Sequence, residues 1–134
     1  MNGTIAIITA RGGSKRIPYK NIKEFCGKPI IEYSIQAAKE SGIFDEIMVS
    51  TNDKKIAAIA VKAGANVPFL RSEVNSDDYA TTSDVLLEVL EQYEKVGIQF
   101  ENACCIYPTA PFVTAQKLKG AMELLKKENC DSVI

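Results

Sequence analysis

Residues 4–21 read TIAIITARGGSKRIPYKN and carry most of the information about the architecture of this chain. The first six residues are mostly β-branched and almost all apolar, which is typical of a strand that is buried on both faces of a parallel sheet. This strand passes directly into a loop that contains two adjacent glycines and several cations. We therefore predict an α/β fold that is organised around this first strand and the loop that follows it.

The loop has a composition that suits a polyphosphate. Gly12 and Gly13 let backbone N–H groups approach an anion, because no Cβ stands in the way. Four cations of the loop can neutralise phosphate charges, namely Arg11, Lys15, Arg16 and Lys20. The loop has neither the Walker A pattern nor the Gly-x-Gly-x-x-Gly dinucleotide fingerprint. Two interpretations stay open, a polyphosphate site of another type or an ordinary glycine turn with solvated cations.

The rest of the chain alternates between predicted strands and predicted helices. Further strands are expected at residues 46–51, 66–70 and 103–107, and a fifth begins at residues 131–134. The strand at residues 66–70 is expected to be short, with Pro68 at a sheet edge or a strand end. Amphipathic helices, with their capping residues, are expected at residues 29–41, 53–63, 83–96 and 114–128. Short connections between these elements predict a three-layer, Rossmann-like parallel sheet with right-handed crossovers and helices on both faces. We expect residues 1–134 to form a single domain.

Three unusual polar loops follow predicted strands, at residues 10–21, 71–82 and 107–113. The carboxyl ends of parallel strands share one edge of the sheet, so these loops are expected to form one composite site. Arg71 is expected to point into this crevice because it directly follows a predicted strand. Thr81 and Thr82 either contact a ligand or cap the next helix. The proline-rich loop from Tyr107 either contacts a ligand or only ends its strand.

The stretch Ala10-Arg11-Gly12-Gly13-Ser14-Lys15, with Lys20-Asn21 five residues on, resembles the N-terminal motif of the acylneuraminate cytidylyltransferases, the CMP-sialic acid synthetase family. In that family the loop binds the triphosphate and the base of CTP, so the resemblance implies a CTP site. It implies nucleotide contacts from Ala10, Arg11, Gly12, Gly13, Ser14, Lys15, Lys20, Asn21, Arg71, Thr81 and Thr82. It also implies catalytic roles for Arg11, Lys15 and Lys20, which would stabilise the triphosphate and the departing pyrophosphate.

The loop Tyr107-Pro108-Thr109-Ala110-Pro111 stands where many sialic acid cytidylyltransferases have Gln-Pro-Thr-Ser-Pro. In having tyrosine at this position, the loop resembles that of the pseudaminic acid cytidylyltransferase branch. The resemblance implies transfer of CMP from CTP to a nine-carbon acid sugar, pseudaminic or another sialic type, with release of pyrophosphate. Sugar contacts are expected from Asn21, Tyr107, Pro108 and Thr109. The alternatives are a cytidylyltransferase for N-acetylneuraminate or Kdo, and a nucleotide-binding module without activity.

Composition argues against several other classes of protein. The chain has no histidine, and its four cysteines lack C-x-x-C spacing, so a zinc site and a histidine-activated nucleophile are not expected. A net charge of −1 argues against nucleic-acid binding. No apolar stretch approaches ~20 residues, so no transmembrane helix and no membrane partner are expected. Reduced, buried Cys104 and Cys105 favour a cytoplasmic location.

Metal ligands are expected to come from a later segment. Four acidic residues stand near the predicted site, namely Asp53, Asp77, Asp78 and Asp84. None of them forms a convincing pair of metal ligands. The resemblance implies Mg²⁺ with aspartate ligands beyond these residues, and a homodimer in the full-length form. We expect residues 1–134 to be the CTP-binding part of a longer enzyme, since Val133 and Ile134 stand inside what should be a buried strand.

Overall fold

The computed structural model describes residues 2–10, 24–25, 27–70, 82–107 and 115–127. The strands in these ranges are β1 (Asn2–Thr9), β2 (Glu24–Phe25), β3 (Lys28–Pro29), β4 (Glu46–Ser50) and β5 (Gln99–Ile106). The helices are α1 (Ile30–Ser41), α2 (Lys54–Ala63), α3 (Thr82–Lys95) and α4 (Ala115–Lys127). Over this part of the chain, the predicted alternation of strands and helices is confirmed except between α2 and α3, where only a single bridge forms. The strand expected at residues 131–134 lies outside the described residues.

β1 is the central strand of the main sheet. It pairs in parallel with β4 on one side and with β5 on the other, which gives the strand order β4-β1-β5. Ile5, Ala6, Ile7 and Ile8 have no exposed surface. The prediction that the first strand is buried on both faces is therefore confirmed. β2 and β3 form a separate antiparallel hairpin immediately before α1.

Helices cover both faces of the sheet, as predicted. On one face, α1, α2 and α4 pack against alternate strand residues in a core that includes Ala6, Ile8, Ile35, Ile56 and Leu118. On the other face, α3 contributes Val89 and Tyr93 to a second core with Ile5, Ile7 and Met48. Successive side chains of a strand point in opposite directions, so neighbouring residues of β1 enter different cores. This arrangement is the three-layer architecture expected from the sequence.

The predicted third strand, residues 66–70, is reduced to one bridge. Asn66 forms a single parallel bridge to β4. The ladder is not continued, because Pro68 has no N–H to donate to it. Phe69 packs instead against Tyr93 of α3, with the ring centroids 6.0 Å apart in an edge-to-face arrangement. The expected short strand is therefore wrong in length, while Pro68 marks the end of the pairing, as expected.

Polar side chains connect the elements at the amino edge of the sheet. Tyr93 donates its hydroxyl hydrogen to Glu46 Oε2 at 3.0 Å, and the Asn66 amide donates to Oε1 of the same carboxylate. Glu46 therefore connects α3, β4 and the bridge residue. Burial and, to a smaller extent, the Glu46 charge raise the pKa of Tyr93, so its phenol stays protonated and able to donate.

Glycines end two of the helices. The residues after α1 and α2 are Gly42 (φ 68°) and Gly64 (φ 107°), and both adopt the left-handed conformation that favours glycine. Pro29 was expected to be the first helical residue, but it precedes the helix with ψ 135°. Its backbone is extended because it pairs with Glu24 in the hairpin. None of the described helices is both long and apolar enough to span a membrane.

Ile56→Ala tests the packing of α2 on the sheet. Ile56 is fully buried, so we expect the loss of apolar contacts and the resulting cavity to lower the free energy of unfolding by about 2–5 kcal/mol. Val61→Ala is the matched control, because Val61 lies on the same helix and is 57% exposed. We expect this control to change the stability by less than about 0.5 kcal/mol. Urea unfolding followed by circular dichroism measures both, and equal losses would contradict the assigned buried face.

Candidate functional site

The three strands of the main sheet end at one edge, here called the carboxyl edge. In the parallel ladders Thr9 of β1 is opposite Ser50 of β4, and Ile8 is opposite Ile106 of β5. The chain therefore leaves the sheet at three neighbouring points. Parallel α/β sheets bind ligands at this edge. The first and the last of the three predicted loops start here, as expected from the sequence.

Ala10 is the last described residue before the glycine–cation loop. Its N–H donates to the carbonyl oxygen of Ser50 at 2.8 Å, and the residue has no exposed surface. The pairing of the two strands thus continues one residue beyond β1. The loop that carries the predicted phosphate contacts consequently starts from a fixed backbone position.

The hairpin of β2 and β3 follows this loop and leads into α1. Lys28 Nζ of the hairpin lies 4.7 Å from the centre of the Tyr33 ring on α1, within the range of a cation–π interaction. This contact joins the hairpin to the first turns of the helix. Both described flanks of the glycine–cation loop, Ala10 and the hairpin, are therefore attached to the body of the domain.

Tyr107 is the described member of the predicted sugar-binding loop. It follows β5 directly and is 56% exposed at the carboxyl edge. Its carbonyl oxygen accepts a hydrogen bond from Ser34 Oγ on α1 at 3.3 Å. Ser34 itself is fully buried. In the sequence, Ser34 stands among apolar positions of the helix expected at residues 29–41, and nothing near it indicates this contact. The available signal was a hydroxyl at an otherwise apolar position.

Thr82 is the first residue of α3. Thr81 lies outside the described residues. The structure leaves both alternatives for these two threonines open. Arg71 lies outside the described residues, and the strand pairing expected to lead up to it ends at Asn66.

Most of the predicted site residues lie outside the described residues, and their roles stay predictions. They are Arg11, Gly12, Gly13, Ser14, Lys15, Lys20, Asn21, Arg71, Thr81, Pro108 and Thr109. What the structure gives is the framework from which their loops extend. That framework is formed by the ends of β1, β4 and β5 and by the start of α1.

Asp53 caps the amino end of α2 at the carboxyl edge. Its Oδ1 accepts hydrogen bonds from the backbone N–H groups of Lys55 at 2.8 Å and Ile56 at 3.2 Å, which is the geometry of a helix N-cap. Asp84 lies in the first turn of α3. Across the described part of the chain, no group of three or more cysteine or acidic side chains is placed to hold a metal ion. No metal ligand is therefore assigned to these residues.

The thiols of Cys104 and Cys105 are unsuited to act as nucleophiles. Both are free cysteines of β5. Burial raises the pKa of each thiol, with a further increase at Cys104 from the neighbouring Cys105. At Cys105 a hydrogen bond with Thr9 acts in the opposite direction but is the smaller effect. Because the thiolate is the reactive form, both side chains are in their unreactive state near neutral pH.

Comparison with known proteins identifies the family. Residues 5–134 match the cytidylyltransferase family. The chain belongs to this family. It is 47% identical over 119 residues to a pseudaminic acid cytidylyltransferase of Campylobacter jejuni, covering 89% of this chain and 51% of the relative. It is 38% identical over 122 residues to a CMP-N,N'-diacetyllegionaminic acid synthase of Legionella pneumophila, covering 91% of this chain and 53% of the relative.

A third relative comes from a vertebrate. An N-acylneuraminate cytidylyltransferase of Danio rerio is 40% identical over 128 residues, which cover 96% of this chain and 29% of that protein. The chain spans about half the length of the bacterial relatives named above. The aligned region accordingly represents one part of each relative rather than the whole of it.

Solved structures support the fold assignment of this family member. CMP:2-keto-3-deoxy-manno-octonic acid synthetase, solved with CTP, matches 96% of this chain and 49% of its own, with a TM-score of 0.74 and 21% identity. A Mycobacterium tuberculosis protein solved with manganese matches 92% of this chain and 59% of its own, with a TM-score of 0.60 and 16% identity. At these identities the matches establish the Rossmann-like fold.

Asp53→Ala and Asp53→Asn separate capping from a role in ligand binding. Alanine removes both acceptor bonds, so we expect a loss of about 1 kcal/mol in unfolding free energy. Asparagine keeps an acceptor oxygen and should stay within a few tenths of a kcal/mol of the natural protein. Thermal unfolding and nucleotide titration measure the two properties. A loss of nucleotide affinity in Asp53→Asn at unchanged stability would contradict a purely structural role.

Proposed function

We propose that this chain is the CTP-binding part of an enzyme that transfers CMP from CTP to a nine-carbon acid sugar of the pseudaminic type. The observation that carries the proposal is the 47% identity to a pseudaminic acid cytidylyltransferase over 119 residues. The second relative, at 38% identity, bears the name of a synthase for another CMP-linked acid sugar. The glycine–cation motif follows Ala10, which lies at the carboxyl edge, and this agrees with the proposal.

The proposed reaction is a nucleotidyl transfer. A hydroxyl oxygen of the acid sugar forms a bond to the α-phosphorus of CTP, and the bond from that phosphorus to the bridging oxygen of the β-phosphate breaks. CMP-sugar and pyrophosphate are the products, and the hydroxyl proton passes to solvent. Such chemistry depends on aligning the two reactants and on neutralising phosphate charge. Arg11, Lys15 and Lys20 would supply that charge.

The described framework contributes positioning. The backbone of Ala10 is fixed to Ser50, and the next residues in sequence are the arginine and glycines of the loop. A loop that starts from a fully buried position can hold its backbone N–H groups towards an anion with less loss of conformational freedom on binding. Tyr107, at the end of β5 on the same edge, would contact the sugar.

The cation, the assembly state and the location are further parts of the proposal. We propose Mg²⁺ as the cation, with its ligands outside the described residues, since none of those residues forms a suitable cluster. A homodimer of the full-length enzyme and a cytoplasmic location also belong to the proposal. A related acid sugar, N-acetylneuraminate, is the alternative acceptor, because an N-acylneuraminate cytidylyltransferase is 40% identical to this chain.

Selective binding of CTP is an expected outcome of the proposed function. The protein is titrated with CTP, UTP, ATP and GTP, with and without Mg²⁺, by isothermal calorimetry. We expect CTP to bind at least tenfold more tightly than the other three nucleotides, because a site built to hydrogen-bond one base leaves polar groups unpaired with another. Equal affinities for the four nucleotides would contradict the assignment of the CTP site to these residues.

Lys20→Ala tests the proposed neutralisation of phosphate charge. We expect kcat to fall roughly 100-fold or more, as when one preorganised charge-stabilising group is removed, with little change in stability. Lys62→Ala is the control, because it removes the same charge from the last turn of α2, towards the opposite edge of the sheet. Release of pyrophosphate from CTP and pseudaminic acid is the measurement. Full activity of Lys20→Ala would exclude the assigned role.

A further inference from the structure

Ser34 is an unusual residue for its position. It is fully buried on α1, and its neighbours Ile31 and Ile35 belong to the core between α1 and the sheet. A serine inside a helix commonly donates its hydroxyl to a carbonyl of the preceding turn. Ser41, the other buried serine of α1, does this through a bond to the Ala38 carbonyl at 2.6 Å.

The Ser34 hydroxyl has a different partner. It donates to the carbonyl oxygen of Tyr107, 73 residues further along the chain, at 3.3 Å. The bond therefore connects α1 to the end of β5 rather than one turn of the helix to the next. A buried hydroxyl without a partner would be unfavourable, so this partner accounts for the polar residue in an apolar face.

Tyr107 is located where the chain passes from the core to the surface. Ile106, the last residue of β5, is 3% exposed, whereas Tyr107 is 56% exposed. Ile106, Ile31 and Ile35 lie in the same core as Leu118 of α4, the helix that follows the loop. α1 consequently packs against α4 and shares one core with Ile106, the residue just before the loop. The Ser34 bond acts at the residue where the backbone leaves the sheet.

We infer that Ser34 is a positioning residue that fixes the Tyr107 backbone and, through it, the orientation of the Tyr107 phenol at the carboxyl edge. The inference rests on the proposed function in one respect, namely that the phenol contacts the acid sugar. Ser34 itself is buried and makes no contact with the substrate. Its effect on catalysis passes through Tyr107 and is therefore expected in the affinity for the sugar rather than in the chemical step.

The length of the bond limits the expected effect. At 3.3 Å the oxygen–oxygen distance exceeds the usual 2.7–2.8 Å of a hydroxyl donor, so the bond is weaker than average. A typical intramolecular hydrogen bond changes an equilibrium about 2- to 10-fold, and we expect the lower half of this range for folding. For the sugar, the displaced tyrosine adds to the loss, so the KM of the acid sugar should rise about 3- to 10-fold.

The first experiment compares Ser34→Ala, Ser34→Thr and Ser41→Ala. Ser34→Ala should raise the KM of pseudaminic acid while kcat and the KM of CTP change less than twofold. Ser34→Thr keeps the hydroxyl and should restore the KM of the sugar. Ser41→Ala removes a similarly buried hydroxyl from the same helix, but one bonded to Ala38 of α1 and to the N–H of Ile43 just beyond it, and should leave the sugar KM unchanged. An unchanged sugar KM in Ser34→Ala, or an equal rise in Ser41→Ala, would overturn the inference.

A second experiment needs no catalytic activity. The protein is labelled with ¹³C at the tyrosine rings, and Tyr107→Phe identifies the Tyr107 signal among the five tyrosines. Ser34→Ala should shift this signal, and Ser41→Ala should not. If the Tyr107 signal of Ser34→Ala has the same position as in the natural protein, the inference is overturned. This holds even if Ser34→Ala is less stable than the natural protein.

The two experiments distinguish failure of the inference from failure of the proposed function. If the full-length natural protein releases no pyrophosphate from CTP with pseudaminic acid or N-acetylneuraminic acid, the proposed function is contradicted. The ring signal of Tyr107 then decides whether Ser34 positions this residue. If the natural protein is active and Ser34→Ala has the natural sugar KM, the function stands and the inference is overturned.

Discussion

The structure depends on the complete burial of β1. Both edges of this strand are paired, with β4 and with β5, and both faces are covered by helices. Its apolar residues therefore divide between two cores, with Ile5 and Ile7 in one and Ala6 and Ile8 in the other. A strand paired on both edges keeps its interior backbone groups hydrogen-bonded, and it has little freedom to shift, because a slip by one residue would exchange the two sets of side chains. The glycine–cation loop thus follows the most constrained segment of the described chain.

The two edges of the sheet are built from different interactions. At the amino edge, side chains connect the elements: Glu46 binds Tyr93 and Asn66, and the Asp45 carboxylate accepts the backbone N–H of Thr4 at 2.8 Å. That last bond lies beside an irregularity in the pairing of β1 with β5, at Gly3 and Thr4. A Cβ on Gly3 would come within 2.6 Å of Asp45 Oδ2, so glycine at this position leaves room for the carboxylate. At the carboxyl edge a main-chain hydrogen bond connects the elements instead, since the Ala10 N–H donates to the Ser50 carbonyl oxygen.

The sequence was informative where a local pattern determines the structure, and uninformative where a distant partner does. The buried first strand, the faces of α2 and α3 and the glycines after α1 and α2 follow from periodicity and backbone preference, which are local properties. Residues 66–70 have the apolar content of a strand, yet Pro68 prevents the ladder and Phe69 finds a better partner in Tyr93. Ser34 is the clearer case, because its partner is 73 residues away and no pattern around it identifies that residue. The roles of Arg11, Lys15 and Lys20 came from a resemblance in the motif, and the family match over residues 5–134 supports that resemblance without testing each residue.

The absence of histidine from the chain makes positioning the main contribution that its residues can offer to a nucleotidyl transfer. Charge on the phosphates is neutralised only when the cations stand at the correct distance, and an error of about 1 Å can cost on the order of 100-fold in rate. A loop rich in glycine has no side-chain packing of its own to maintain that accuracy, so the accuracy has to come from the segments that flank it. Here one flank is the buried Ala10 and the other is the hairpin that Lys28 joins to Tyr33 of α1. The same helix bonds to Tyr107 through Ser34. α1 therefore supports the nucleotide side and the sugar side of the proposed site together, which is a physical reason for its close packing against the sheet.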